Sequence, residues 1–186
     1  MSLQEIQGDL LNCEVEAIVH QCNCLTVKAH GLSQSIAEKF PQANLYATRR
    51  PLGTRNLAVE EDRGIPGTIK VFPSQTPVVI CLLAQWDYGK ASHRPKRIST
   101  YQDTPQNREQ WFQTCLQEMG ESLPYQTYAF PYKIGCGLAQ GNWIHYRHYI
   151  EQFEMKVHRN PHALISRSLE GEDQQPGFTS LREWIG

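Results

Sequence analysis

Alternating and continuous apolar runs divide most of this chain into short strands and amphipathic helices. Leu3 to Gln7 has the alternation of a short strand, broken by Gly8-Asp9. Glu14-Val15-Glu16-Ala17-Ile18-Val19-His20 alternates at first and then turns apolar, as a strand does inside a covered sheet. From Gly31 the period changes: Leu32, Ile36 and Phe40 fall on one stripe of a helix that Pro41 closes. Thr54 to Pro66 is polar and is predicted as a loop, and Gly67 to Phe72 alternates as a strand that Pro73 ends. Val78-Val79-Ile80-Cys81-Leu82-Leu83-Ala84 is apolar on both faces and belongs in the middle of the sheet.

The second half repeats the alternation of element types. Lys90 to Pro105 is rich in turn formers and is predicted as a surface loop. Trp111, Phe112, Cys115, Leu116 and Met119 define an amphipathic helix capped by Gly120. Tyr125 to Phe130 forms the next strand and runs into the turn Ile134-Gly135-Cys136-Gly137-Leu138. Asn142 is placed to cap a helix whose inner face carries Trp143, Tyr146, Ile150 and Phe153, with a short strand predicted at Met155-Lys156-Val157. Beyond Pro161 the periodicity fades, and the residues read as an extension docked by Trp184 and Ile185. The expected organisation is a domain over residues 1–160 and an extension over 161–186. Its expected class is α/β: three α/β/α layers, a mixed sheet with helices on both faces.

Composition narrows the function classes. A chain of 186 residues with 40% hydrophobic and 20% charged residues can build a core without staples. Eighteen basic against nineteen acidic side chains give a formal charge of -1, and so no cation surplus for a nucleic-acid partner. The one basic cluster, His93-Arg94-Pro95-Lys96-Arg97, reads as a solvated loop. No signal-peptide pattern opens the chain, and the longest apolar run falls short of the roughly 20 residues that cross a membrane. Six cysteines in apolar patterns read as reduced, buried thiols. A cytoplasmic or nuclear monomer without a membrane partner is expected.

Two segments join strand ends to helices through glycine and polar residues, where open α/β sheets hold ligands. One runs from His20 through Gln21-Cys22-Asn23-Cys24 to Lys28-Ala29-His30-Gly31. The other is Ile134-Gly135-Cys136-Gly137-Leu138-Ala139-Gln140-Gly141-Asn142. Glycine there lets main-chain N–H groups approach an anion, so a phosphate-bearing ligand is expected. His20, Cys22 and Cys24 alternate and would share one face of a strand, a spacing open to three zinc ligands; no second Cys or His pair closes the set, so neither metal nor cofactor is expected.

Gly8-Asp9-Leu10-Leu11, followed by Ala17-Ile18-Val19-His20-Gln21-Cys22-Asn23, resembles the opening of the macro domain family. Ile134-Gly135-Cys136-Gly137-Leu138 with Trp143 resembles that family's diphosphate-binding loop. The similarity covers roughly residues 3 to 158. It is nearest to the branch of ADP-ribose-1″-phosphate phosphatases and terminal ADP-ribose glycohydrolases. The resemblance implies a pocket for ADP-ribose or an ADP-ribosylated protein. Asp9, beside Leu10, would meet the adenine amino group. Asn23 and the loop through Cys22, Lys28, His30 and Gly31 would surround the distal ribose. The amides from Ile134 and Gly135 through Cys136, Gly137 and Leu138 to Ala139 would cradle the diphosphate. His20 matches a catalytic histidine of the phosphatase branch.

The sequence departs from the family where Lys28-Ala29-His30-Gly31 replaces a run of glycines. The glycohydrolase pairing of a lysine with an aspartate is also unmet: Ala139 stands at the aspartate's position, and the lysine's falls at Gln85 or near Lys90. His20, Asp87 and His30 remain for acid–base work, with Asn23 at the reacting ribose. Hydrolysis of an ADP-ribose derivative without a metal is the expected activity. The alternative is a reader module that binds ADP-ribose without turnover.

Overall fold

A computed structural model of the chain describes residues 3–94, 98–156 and 162–167, with side chains through Phe153. Its strands are β1 (Gln4–Gln7), β2 (Ala17–Asn23), β3 (Ile69–Phe72), β4 (Val78–Gln85), β5 (Thr127–Pro131) and β6 (His162–Arg167). The helices are α1 (Leu32–Lys39), α2 (Pro105–Ser122) and α3 (Trp143–Lys156). The strands make one sheet in the order β1-β6-β5-β2-β4-β3. All neighbours run parallel except β3, which pairs antiparallel with β4 at the edge.

Alternation along β2 and β4 builds two cores. Ile18, Cys22, Val79, Cys81 and Leu83 face one layer, where Ile36 of α1 packs with Leu10, Leu45 and Tyr46. Ala17, Val19, Ile80, Leu82 and Ala84 face the other, against Phe112, Cys115 and Met119 of α2 and Tyr146, Ile150 and Phe153 of α3. Because both faces of β2 and β4 are covered, their sequences are apolar without a break. The expected three-layer α/β/α arrangement is observed.

Several boundaries differ from the sequence reading. Pro105, expected at the end of a loop, starts α2: Thr104 Oγ1 accepts a hydrogen bond from the Asn107 amide at 3.1 Å, and proline suits the first turn. Gly120 lies inside that helix rather than capping it, and the helix ends at Ser122, with the extended Leu123 as C-cap before Pro124. Met155 and Lys156, predicted as a strand, continue α3; Val157 lies outside the described residues. Residues beyond Pro161, expected to leave as an extension, first supply β6, which sits between β1 and β5. Three apolar residues, Ala163-Leu164-Ile165, gave the sequence reading too short a run to distinguish. Residues 168–186, including Trp184 and Ile185, lie outside the described residues.

Beyond the end of β4 the chain is fixed by one buried ion pair. Arg108 donates through Nε and a terminal nitrogen to the two carboxylate oxygens of Asp103, both at 2.6 Å. Asp103 also accepts the amides of Trp86 and Asp87, while Arg108 reaches the carbonyls of Asp87 and Gly89. Both side chains are 2% exposed. Asp103→Asn should therefore leave a buried, uncompensated guanidinium and cost about 3–5 kcal/mol in urea denaturation. A loss below about 0.5 kcal/mol, ordinary for a surface change, would show that the pair does not hold this turn.

Candidate functional site

A cleft of about 590 Å³ opens at the carboxyl ends of the parallel strands β2, β4 and β5. Gln21 and Asn23 come from β2, Gln85 with Tyr88 and Gly89 from the end of β4, and Pro131 from β5. β4 and β5 flank β2 on opposite sides, so the crossover through α2 leaves a crevice there. The volume is in the range of small-molecule pockets. A larger hollow of about 680 Å³, bordered by α2 and α3, contains none of the predicted site residues.

The wall that follows β2 is held by side chains rather than by regular structure. Asn23 Oδ1 accepts the amides of Leu25 (3.0 Å) and Thr26 (2.8 Å) and the Thr26 hydroxyl (3.0 Å). Buried Arg49 donates to the carbonyls of Thr26 (2.7 Å) and Asn23 (2.9 Å). Asn56 Oδ1 accepts the amides of Val27 and Lys28, both at 3.0 Å. These bonds turn the chain so that Lys28, Ala29, His30 and Gly31 reach the cleft and α1 begins with Leu32 and Ser33 on its rim. Gly31 has φ 55°, a conformation that glycine adopts without strain.

The opposite wall is the turn after β5. Its internal bonds run from the Ile134 amide to the Pro131 carbonyl, Cys136 to Lys133, Gln140 to Gly137 and Gly141 to Gly135. Among the described residues, no protein acceptor takes the amides of Gly135, Gly137, Leu138 or Ala139. All four residues line the cleft, so unpaired N–H groups gather where an anion would be held. Beneath them the Gln21 carboxamide donates to Gln85 Oε1 at 2.9 Å, and Gln85 donates to the Asp87 carbonyl at 3.2 Å. That direction of donation leaves Gln21 Oε1 buried with no hydrogen-bond partner among the described residues.

The structure brings most of the predicted residues together. Asn23, Lys28, His30, Gly31, Ile134, Gly135, Gly137, Leu138 and Ala139 share the cleft. Six others do not line it. His20 is 2% exposed and lies behind α1, with Nε2 3.1 Å from Cys81 Sγ and Nδ1 3.4 Å from the Ser33 hydroxyl. Asp87 is buried and accepts the Tyr88 amide at 2.8 Å, a turn contact. Cys22 and Leu10 are core residues, and Cys136 turns its thiol to the Ile134 carbonyl. Asp9 caps a short turn, accepting the Leu11 amide at 2.9 Å and the Asn12 side-chain amide.

Burial pushes the Cys136 thiol up to about 12, and Cys13 likewise. At Cys22 burial acts upward too, but hydrogen bonding with Cys81 and the nearby His20 ring bring the thiol well below its ordinary value. Burial and the bond to Cys22 push Cys81 up. Burial likewise raises the hydroxyl of Tyr46, which accepts the Asn23 amide at 3.2 Å and lines the cleft.

Sequence reasoning placed Gln21 in the first ligand-holding segment and Gln85 at the glycohydrolase lysine's position without giving either a role, and it missed Ser33, Tyr46 and Asn56. Gln21 and Gln85 stand at strand ends and could have been found from that position. Tyr46 and Asn56 come from segments without periodicity, and only the fold brings them near.

Gly135 is the residue on which the second wall turns. Its φ is 71°, and a Cβ there would lie 2.7 Å from both Gln21 Oε1 and Tyr146 Cε1. Gln21 could swing away; the buried Tyr146 ring could not. Gly135→Ala should destabilise the domain by about 1–3 kcal/mol in chemical denaturation. An unchanged midpoint would mean that the turn relaxes freely.

No family model matches the chain. An ADP-ribose 1″-phosphate phosphatase of Aspergillus oryzae is 28% identical over 127 residues, covering 52% of this chain and 63% of that protein. The match thus spans less than two thirds of that relative. Among solved structures, the macrodomain of Mycobacterium tuberculosis DarG superposes with a TM-score of 0.63 at 16% identity, covering 88% of this chain and 96% of that one. The Trypanosoma brucei macrodomain in complex with ADP-ribose gives 0.58 at 10% identity, over 91% of this chain and 64% of that one. With its six-stranded mixed sheet, two helical layers and cleft at the strand ends, the chain folds as a macrodomain.

Proposed function

We propose that the cleft binds ADP-ribose and that the protein hydrolyses an ADP-ribose derivative: ADP-ribose-1″-phosphate or an ADP-ribosyl ester on protein. The observation that carries this reading is the set of unpaired amides at Gly135, Gly137, Leu138 and Ala139, facing Lys28 and His30 across one cleft. Main-chain N–H groups without protein acceptors suit a diphosphate. The similarity to a phosphatase acting on ADP-ribose 1″-phosphate supports the substrate class. Asn23 Nδ2, 3.5 Å from the Tyr46 hydroxyl, is available to a distal ribose hydroxyl.

Of the acid–base candidates, His30 is the one whose side chain is exposed and at the cleft. Its imidazole can take a proton from a water attacking phosphorus. As the P–O1″ bond breaks, that proton passes to the departing ribose oxygen, giving ADP-ribose and inorganic phosphate. Lys28 on the same loop offsets negative charge gathering on the phosphoryl oxygens. His20 acts on the cleft through Ser33 rather than by touching substrate. Asp87, with its carboxylate turned to the Tyr88 amide, shapes the strand end. The reader alternative draws on the same geometry, since neither His20 nor Asp87 lines the cleft.

Phosphate release from ADP-ribose-1″-phosphate tests the reading. His30→Ala should lower kcat by about 10²–10⁴-fold, with ADP-ribose affinity kept within about tenfold. An unchanged kcat removes His30 from the chemistry. Tight binding without turnover in the parent chain leaves the reader. Asp9, proposed at the adenine amino group, keeps lone pairs beyond its two local bonds. Asp9→Ala should weaken ADP-ribose in calorimetry far more than ribose 5-phosphate. Equal weakening of both would place adenine elsewhere.

A further inference from the structure

We propose that His20, Cys22 and Cys81 form a buried three-ligand site for a thiophilic divalent metal ion of the zinc class. The inference is independent of what the cleft binds. The sequence offered His20, Cys22 and Cys24 as alternating residues. The sheet replaces the third: β2 and β4 pair with His20 opposite Cys81, while the Cys24 thiol packs beside Gly64.

The three ligand atoms all lie within 4.8 Å of one another. His20 Nε2 is 3.1 Å from Cys81 Sγ and 3.6 Å from Cys22 Sγ. Zinc bonds of about 2.3 Å to sulfur and 2.0–2.1 Å to nitrogen, at a tetrahedral angle, separate N and S by roughly 3.5 Å. The two Nε2-to-sulfur separations therefore lie within about half an ångström of that spacing before any ion arrives, and because Cys22 Sγ is also 3.5 Å from Nδ1, binding would turn the imidazole or the thiol. The other ring nitrogen, Nδ1, faces the Ser33 hydroxyl at 3.4 Å. A metal-bound histidine needs such an outer partner to fix its tautomer and orientation.

Burial strengthens the case. All three side chains are at most 2% exposed, inside the layer beneath α1. Apolar residues would fill that space without desolvating an imidazole, and thiols repay that cost weakly because they are poor donors. Metal binding repays it directly. The two thiols release their protons to solvent, the two thiolates and the neutral imidazole bind the dication, and the site becomes electrically neutral. Three protein ligands leave one tetrahedral position for a water or hydroxyl ligand.

The test uses the full chain, stripped by a chelator under a phosphine reductant and titrated with Co²⁺. The expected result is one equivalent bound, with a thiolate-to-cobalt charge-transfer band and four-coordinate visible bands, both displaced by one equivalent of Zn²⁺. Cys22→Ser and Cys81→Ser should each lose most of the charge-transfer intensity, while Cys24→Ser keeps it. Absence of the band in the parent chain at millimolar Co²⁺, or its persistence in both Cys22→Ser and Cys81→Ser, overturns the site. Should either serine variant fail to fold by circular dichroism, zinc-edge absorption of the loaded parent chain decides. A shell of two sulfurs and a ring nitrogen supports the proposal, and a shell of oxygens alone overturns it.

Discussion

Asn23 ends the strand β2 and, with one carboxamide oxygen, accepts two main-chain amides and a hydroxyl from the residues that follow. Main chain takes some of the peptide groups of the loop that follows: the Cys24 amide donates to the Gln85 and Trp86 carbonyls, and the Cys24 and Leu25 carbonyls accept the Gly64 and Ala58 amides. Unpaired buried peptide groups cost about as much as lost hydrogen bonds, and side chains take the groups that main chain leaves. Arg49 and Asn56 continue what Asn23 starts, from segments far along the chain. On the β4 side, Asp103 and Arg108 do the same for residues 86–89. A wall fixed in this way can present Lys28 and His30 to a ligand without being regular structure itself.

The turn after β5 solves the same problem in the opposite sense. Its glycines and positive-φ residues Lys133 and Gln140 allow a tight backbone course with few internal bonds. Amides at Gly135, Gly137, Leu138 and Ala139 are then left for something else to accept. One side of the cleft is thus satisfied from within, and the other keeps main-chain donors that no described protein group accepts. Leaving donors uncommitted is the usual way a binding site costs stability.

Periodicity made most of the fold readable. The unbroken apolar run at 78–84 and the stripe through Trp111, Phe112, Cys115, Leu116 and Met119 report burial directly, and both proved to be what they signal. β6 was not readable, because a strand with three apolar residues looks like a tail until its neighbours are known. At the site, glycine and polar residues at strand ends were visible in the sequence, and the two turns do converge. What the sequence could not supply was which face of β2 a ligand would meet. His20 and Asn23 belong to the same strand, yet one is drawn into the layer beneath α1 and the other reaches the cleft. They stand three residues apart, so the strand's alternation sets them on opposite faces, and it is the packing over each face that decides which one meets a ligand.

The proposed function requires the loop begun by Asn23 and the turn after β5 to enclose one site for a nucleotide diphosphate carrying a second ribose. Calorimetric titration of the chain with free ADP-ribose tests it most directly. The account predicts saturable binding of one molecule per chain, weakened when AMP replaces ADP-ribose and so removes the diphosphate bridge and distal ribose. No heat at millimolar ADP-ribose, or equal affinity for AMP, would contradict it.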